Sequence, residues 1–238
     1  MTTQVISIFI LMIVLYASFL TFMYFKKKKQ KNLLNNTNFN TEISKAETHK
    51  KEYLNSNLSF ISKQMKGKSI DAFNFANLNY TRKDSIKDGI KDGLKGMATL
   101  GTVRFHTTQT PKYLILSGTD LHLLDTDTEG DISNHLVFDA LRMGKSKIAE
   151  IPLEGMIKAF AKQKGELTKA YRISLSTDND PIDLIIFSAL IFTYSNTGAN
   201  ILSLNSNKEL QEIIIGNDFL KKLGETYPNL KVPLPIFG

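Results

Sequence analysis

The chain has 238 residues, 30 Lys and Arg against 23 Asp and Glu, a net charge of +7 and no cysteine. The lack of thiols excludes disulfides, cysteine nucleophiles and Cys-ligated zinc or iron–sulfur sites. The charge is unevenly divided: residues 26–101 hold sixteen basic against seven acidic side chains, while residues 102–238 hold fourteen against sixteen. The distal half is therefore mildly acidic, and nucleic acid is not an expected partner.

From Val5 to Phe25 the sequence VISIFILMIVLYASFLTFMYF carries no charge, proline or glycine. As a helix it would extend roughly 31 Å, the thickness of a bilayer's hydrocarbon core, so residues 5–25 are expected to form a transmembrane helix. No positive n-region precedes the run and no small residues mark its end, which argues for a retained anchor over a cleaved signal peptide. Lys26, Lys27, Lys28, Lys29 and Lys31 follow at once. Lysines flank the cytoplasmic end of such helices, so the expected topology is a single pass in the cell membrane, N-terminus outside and the rest cytoplasmic. The same lysines are candidate membrane-surface residues, able to attract anionic lipid.

Residues 32–40 are Asn-rich and read as a linker. Between Thr41 and Met65, Ile43, Ala46, Leu54, Leu58, Ile61 and Met65 fall mostly three and four apart. This spacing predicts a helix capped by Asn40 or Thr41 and ending near Gly67. In SIKDGIKDGLKGMATLG (85–101), Ile86, Ile90, Leu94 and Met97 share a helical face beside a lysine ladder, a candidate amphipathic contact with lipid or with the chain's own domain. Residues 26–101 thus form a basic juxtamembrane linker with amphipathic helices.

After Thr102 the period changes to two. KYLILSGTDLHLLDTD predicts strands at Lys112–Ser117 and Asp120–Asp125 around a Gly118-Thr119 turn. KIAEIPLEGMIKAFAKQ reads as strand with a break at Pro152. AYRISLST and IDLIIFS form a second hairpin around DNDP, and ALIFTYS extends it or begins another strand. Ser206 and Glu209 make a capping box opening a helix to about Glu225, and residues 229–238 form an extended tail.

Strands followed by one closing helix, with YLILSGTDLHLL, IAEIPLEGMIKAF and FLKKLGETYP, resemble the bacterial PH-like domains over roughly residues 102–228. The resemblance implies an antiparallel β-rich half-barrel closed by a C-terminal α-helix. Lipid-binding members of that superfamily use clustered Lys or Arg on an early loop. The corresponding Ser117-Gly118-Thr119 turn has none, so phosphoinositide binding is not implied. Small anchored proteins of this kind include plausible immunity-type proteins against membrane-acting toxins.

Motifs for chemistry fail on inspection. DALRMGKS (139–146) has Asp139 where a phosphate-binding loop needs glycine. DTDTEGDI (125–132) opens like a calcium loop through Asp125, Asp127 and Glu129, but Leu136 stands where the bidentate carboxylate belongs. His49, His106, His122 and His135 are widely separated, and His122 is expected on the strand face opposite Leu121 and Leu123. No catalytic residue, metal site or cofactor is assigned. The expected class is α+β, and the expected role is a membrane-tethered cytoplasmic interaction or regulatory module without catalytic activity. It would contact lipid through the anchor and a protein through its domain. The alternatives are an unrecognised enzyme acting on membrane-linked substrates, or a peripheral lipid-binding factor using residues 85–100.

Overall fold

The computed structural model describes residues 3–78, 110–127, 129–164, 167–192, 206–234 and 236. It opens with helix α1 (Thr3–Asn36), 34 residues long. Among the described residues no helix is long and apolar enough to cross a membrane. That finding corrects the spanning helix expected at residues 5–25 and the single-pass, signal-anchor reading built on it. Nor does the helix end where the apolar run does. Lysine is a good helix former, so α1 continues through Lys26–Lys29 and Lys31 and takes in most of the expected linker. Large apolar side chains along it, among them Ile10, Leu15, Phe19 and Phe25, are exposed.

Three short helices stand in place of the single one expected at 41–65: α2 (Phe39–Ser44), α3 (Ala46–Asn57) and α4 (Ser59–Gln64). Asn38 caps the first, its Oδ1 accepting from the Thr41 N–H at 3.3 Å. Lys45 and Leu58 leave helical geometry and divide the run. The predicted apolar stripe nevertheless goes inward, with Ala46, Leu54, Leu58, Ile61 and Met65 all buried. Residues 85–100, and with them Ile86, Ile90, Leu94 and Met97, lie outside the described residues.

The sheet comprises β1 (Ala72–Leu78), β2 (Lys112–Ser117), β3 (Asp120–Thr126), β4 (Ile132–Phe138), β5 (Lys147–Ile151), β6 (Ala170–Leu175) and β7 (Ile182–Phe187). Its order is β4-β3-β2-β1-β7-β6-β5, with every neighbouring pair antiparallel. Helices α5 (Ala140–Lys145) and α6 (Gly155–Lys164) flank β5, and α7 (Ser206–Thr226) follows the sheet. The α+β class, both predicted hairpins and the C-terminal helix are present, but the described strands form one open seven-stranded sheet and not the half-barrel expected over residues 102–228, because β4 and β5 remain as separate edges and β1 comes from ahead of that region. The strand expected over GMIKAFAKQ is instead α6: its Met, Ala, Lys and Gln favour helix, and Pro152 ends the extended segment after Ile151.

Alternation along the strands explains why a run such as YLIL is buried throughout. Leu114, Leu116, Leu121 and Leu123 join one cluster with Phe219, Leu220 and Leu223 of α7. Tyr113, Ile115, Leu124 and Phe73 point the other way, against Tyr53, Leu54, Leu58 and Ile61 of the α3–α4 layer.

The sheet is nearly cut in two at its centre. β1 pairs with β2 over five positions but with β7 over only two, Asn77–Ile185 and Leu78–Leu184. Side-chain amides bridge the gap where ladder bonds are missing. Asn74 donates to the Phe187 carbonyl at 2.9 Å, and Asn77 donates to the Ile185 and Ile191 carbonyls at 3.3 and 3.0 Å. Helix α7 packs on β1 beside the opening, with Asn217 donating to the Ser188 carbonyl at 2.5 Å.

Candidate functional site

The two edges of the sheet differ chemically. A strand at an edge exposes unpaired N–H and C=O groups, and proteins usually blunt it by keeping it short or by placing charge on it. β5 follows that rule: it has five residues, KIAEI, and Lys147 and Glu150 are exposed. β4 does not. Its seven residues, ISNHLVF, include no Lys, Arg, Asp or Glu. Ser133 and Asn134 are exposed, and Val137 is 40% exposed. Among the described residues no strand pairs with the outer side of β4. An uncharged strand of this length offers about three outward-facing N–H and C=O pairs, with alternate side chains available for contact.

A histidine pair lies at this edge. His122 on β3 and His135 on β4, separated by 13 residues in sequence, bring Nδ1 and Nε2 to 2.8 Å. His122 faces away from Leu121 and Leu123, as expected, but it is buried. Gln64 of α4 lies 3.3 Å from His135 Nδ1, so the edge strand is tied to the helical layer. His122 Nε2 is buried without a partner. Burial, the neighbouring imidazole and Lys68 hold the His122 pKa below its usual value, with Asp120 opposing. Burial, Lys68 and Lys66 do the same for His135. The pair is therefore neutral near pH 7. Sequence spacing had separated these histidines, yet the turn between β3 and β4 folds one back on the other.

The acidic loop before β4 is accounted for locally. Asp125 receives the Lys112 ammonium at 2.6 Å, and Asp127 Oδ1 accepts from the Glu129 and Asp131 N–H groups at 2.9 Å each. Among the described residues no His, Asp and Glu cluster could hold a metal ion. Asp139 is the N-cap of α5, accepting from the Arg142 N–H at 2.9 Å, which explains an acid at that position. Of the candidate membrane-surface lysines, Lys28, Lys29 and Lys31 are exposed on α1; Lys26 and Lys27 belong to the same helix. These lysines lie outside the sheet edge. The edge strand itself was not predicted, since ISNHLVF alternates too weakly to stand out.

No protein-family model matches the chain, and no curated protein or solved structure is found to be similar to it.

Proposed function

We propose that this chain is a non-catalytic interaction module that accepts an extended segment of a partner protein along β4. The observation carrying this reading is the contrast between the edges: β5 is short and charged, whereas β4 is longer and uncharged with Val137 exposed. Strand addition takes its affinity from main-chain hydrogen bonds and its selectivity from alternate side chains. Two further features support an association role. The large apolar side chains along α1 form the kind of surface that proteins seldom leave uncovered. The PH-like reading also stays in view, since a four-strand meander, a three-strand meander and a final helix succeed one another in the chain.

The test is site-specific photocrosslinking in the native host, with the probe at Ser133 or Asn134 on β4 or at Ala149 on β5. One defined protein adduct should form from β4, and Val137→Lys should abolish it. Equal labelling from β5, or adducts indifferent to Val137→Lys, would refute strand addition at β4.

A further inference from the structure

A cleft of about 800 Å³ opens between α3, the loop joining α4 to β1, and α7. Four lysines line it, Lys50, Lys51, Lys68 and Lys222, against two acids, Glu47 and Asp71. The Asp71 carboxylate is engaged elsewhere, accepting from the Gly118 N–H at 2.6 Å. Its carbonyl faces the lysines instead, receiving Lys50 at 2.7 Å and Lys222 at 2.9 Å.

Glu47 is the instructive group. Lys50 Nζ lies 2.9 Å from its Oε1 and 2.7 Å from its Oε2, and Lys222 Nζ lies 2.5 Å from Oε1. Two ammonium groups thus converge on one carboxylate. Lys50 is only 5% exposed and is fixed in place, whereas the Glu47 side chain is 55% exposed. Lys50 is built into the protein and the Lys222 side chain is 27% exposed, so the more exposed Glu47 meets both ammonium groups from the solvent side. Lys222 has Asp218 as a second carboxylate partner at 2.9 Å. Among the described residues no carboxylate forms an ion pair with Lys51 or Lys68, so the cleft keeps an excess of positive charge with Glu47 in its seat.

We propose that this cleft binds a phosphomonoester and that Glu47 is an internal occupant of the anion seat, displaced when the ligand enters. A phosphate group presents more charge and more acceptor oxygens than one carboxylate to the same converging ammonium groups, and lysine serves phosphate as a point charge. The volume exceeds that of bare phosphate and falls in the range of small-molecule sites, leaving room for the group esterified to it. Lys66 and Gly67, at φ +48° and +84°, turn the chain so that Lys68 and Ser69 reach the cleft wall. This inference does not depend on strand addition at β4.

Calorimetric titration of the full chain with inorganic phosphate and with glycerol 3-phosphate, against sodium chloride at matched ionic strength, tests it. Saturable binding is expected, with the ester binding more tightly. Glu47→Gln should tighten binding, and Lys51→Gln combined with Lys68→Gln should weaken it about tenfold or more, the scale of a lost charge-assisted hydrogen bond. Both lysines are outside the buried network, so the double variant should fold, which circular dichroism will show. Sedimentation with phosphatidylcholine vesicles, with and without phosphatidic acid, separates the two sources of the ligand. Pelleting that requires phosphatidic acid and both lysines assigns a lipid headgroup; saturable phosphate binding without it assigns a soluble ester. Absence of saturable binding in both wild type and Glu47→Gln, or affinities unmoved by the lysine substitutions, overturns the proposal.

Discussion

The partly buried hydrogen bond between His122 and His135 has a proton inventory that can be worked through. Two neutral imidazoles share one N–H, and one added proton is tolerated because a cationic ring still donates to a neutral one. A second proton leaves two donors facing each other, with Lys66 and Lys68 adding to the repulsion and Asp120 offsetting part of it. Both pKa values are lowered in the folded protein, so unfolding takes up protons as the pH drops. The associated stability is present above the ordinary histidine value near 6.5 and is lost as pH falls through the lower folded values. Urea unfolding midpoints should therefore fall between pH 7 and pH 5, and His135→Gln should flatten that slope. An unchanged slope in the variant would show that these histidines do not control it.

Helix α7 owes its position to one residue without a side chain. A Cβ on Gly216 would lie 2.5 Å from Ala189 Cα and 2.6 Å from Ala189 N, both backbone atoms that cannot swing aside. This is the close approach that places Asn217 on the Ser188 carbonyl and lets the Glu212 carbonyl receive Leu190 N–H at 3.0 Å. Gly216→Ala should cost about 1–3 kcal/mol, the range for overpacking, measured by urea denaturation. Gly144 has open space around it; substituting alanine there should be neutral or slightly stabilising, since α5 loses less backbone entropy. Equal effects at the two glycines would refute the close-packing explanation.

Across the whole molecule, three buried clusters meet on a sheet that is barely continuous at its middle, and α7 contributes to all of them through Phe219, Ile215 and Ile214. The two half-sheets should therefore unfold together. Circular dichroism and tyrosine fluorescence should trace one urea transition, and Phe219→Ala should lower stability by about 3–5 kcal/mol, the usual cost of emptying a buried phenylalanine site. Separate transitions for the two probes would mean that the halves are independent units.

What could be read along the chain was local order. The β2–β3 and β6–β7 hairpins were legible because each has its strands and its turn within one short stretch, and α7 because the spacing of its apolar residues is a local property. The buried apolar residues of α3 and α4 were legible for the same reason, although the breaks at Lys45 and Leu58 were not. Tertiary structure decided the rest. AFNFANL gives little sign of a central strand, because Asn74 and Asn77 are polar. Their place in β1 makes sense only once the carbonyls of β7 stand opposite, more than a hundred residues away. The histidine pair, the bare edge at β4 and the lysines converging on Glu47 are likewise invisible along the chain. The Lys50–Glu47 contact is local, but the approach of Lys222, the contact between the two imidazoles and the place of β4 at the end of the sheet are all set by long-range packing.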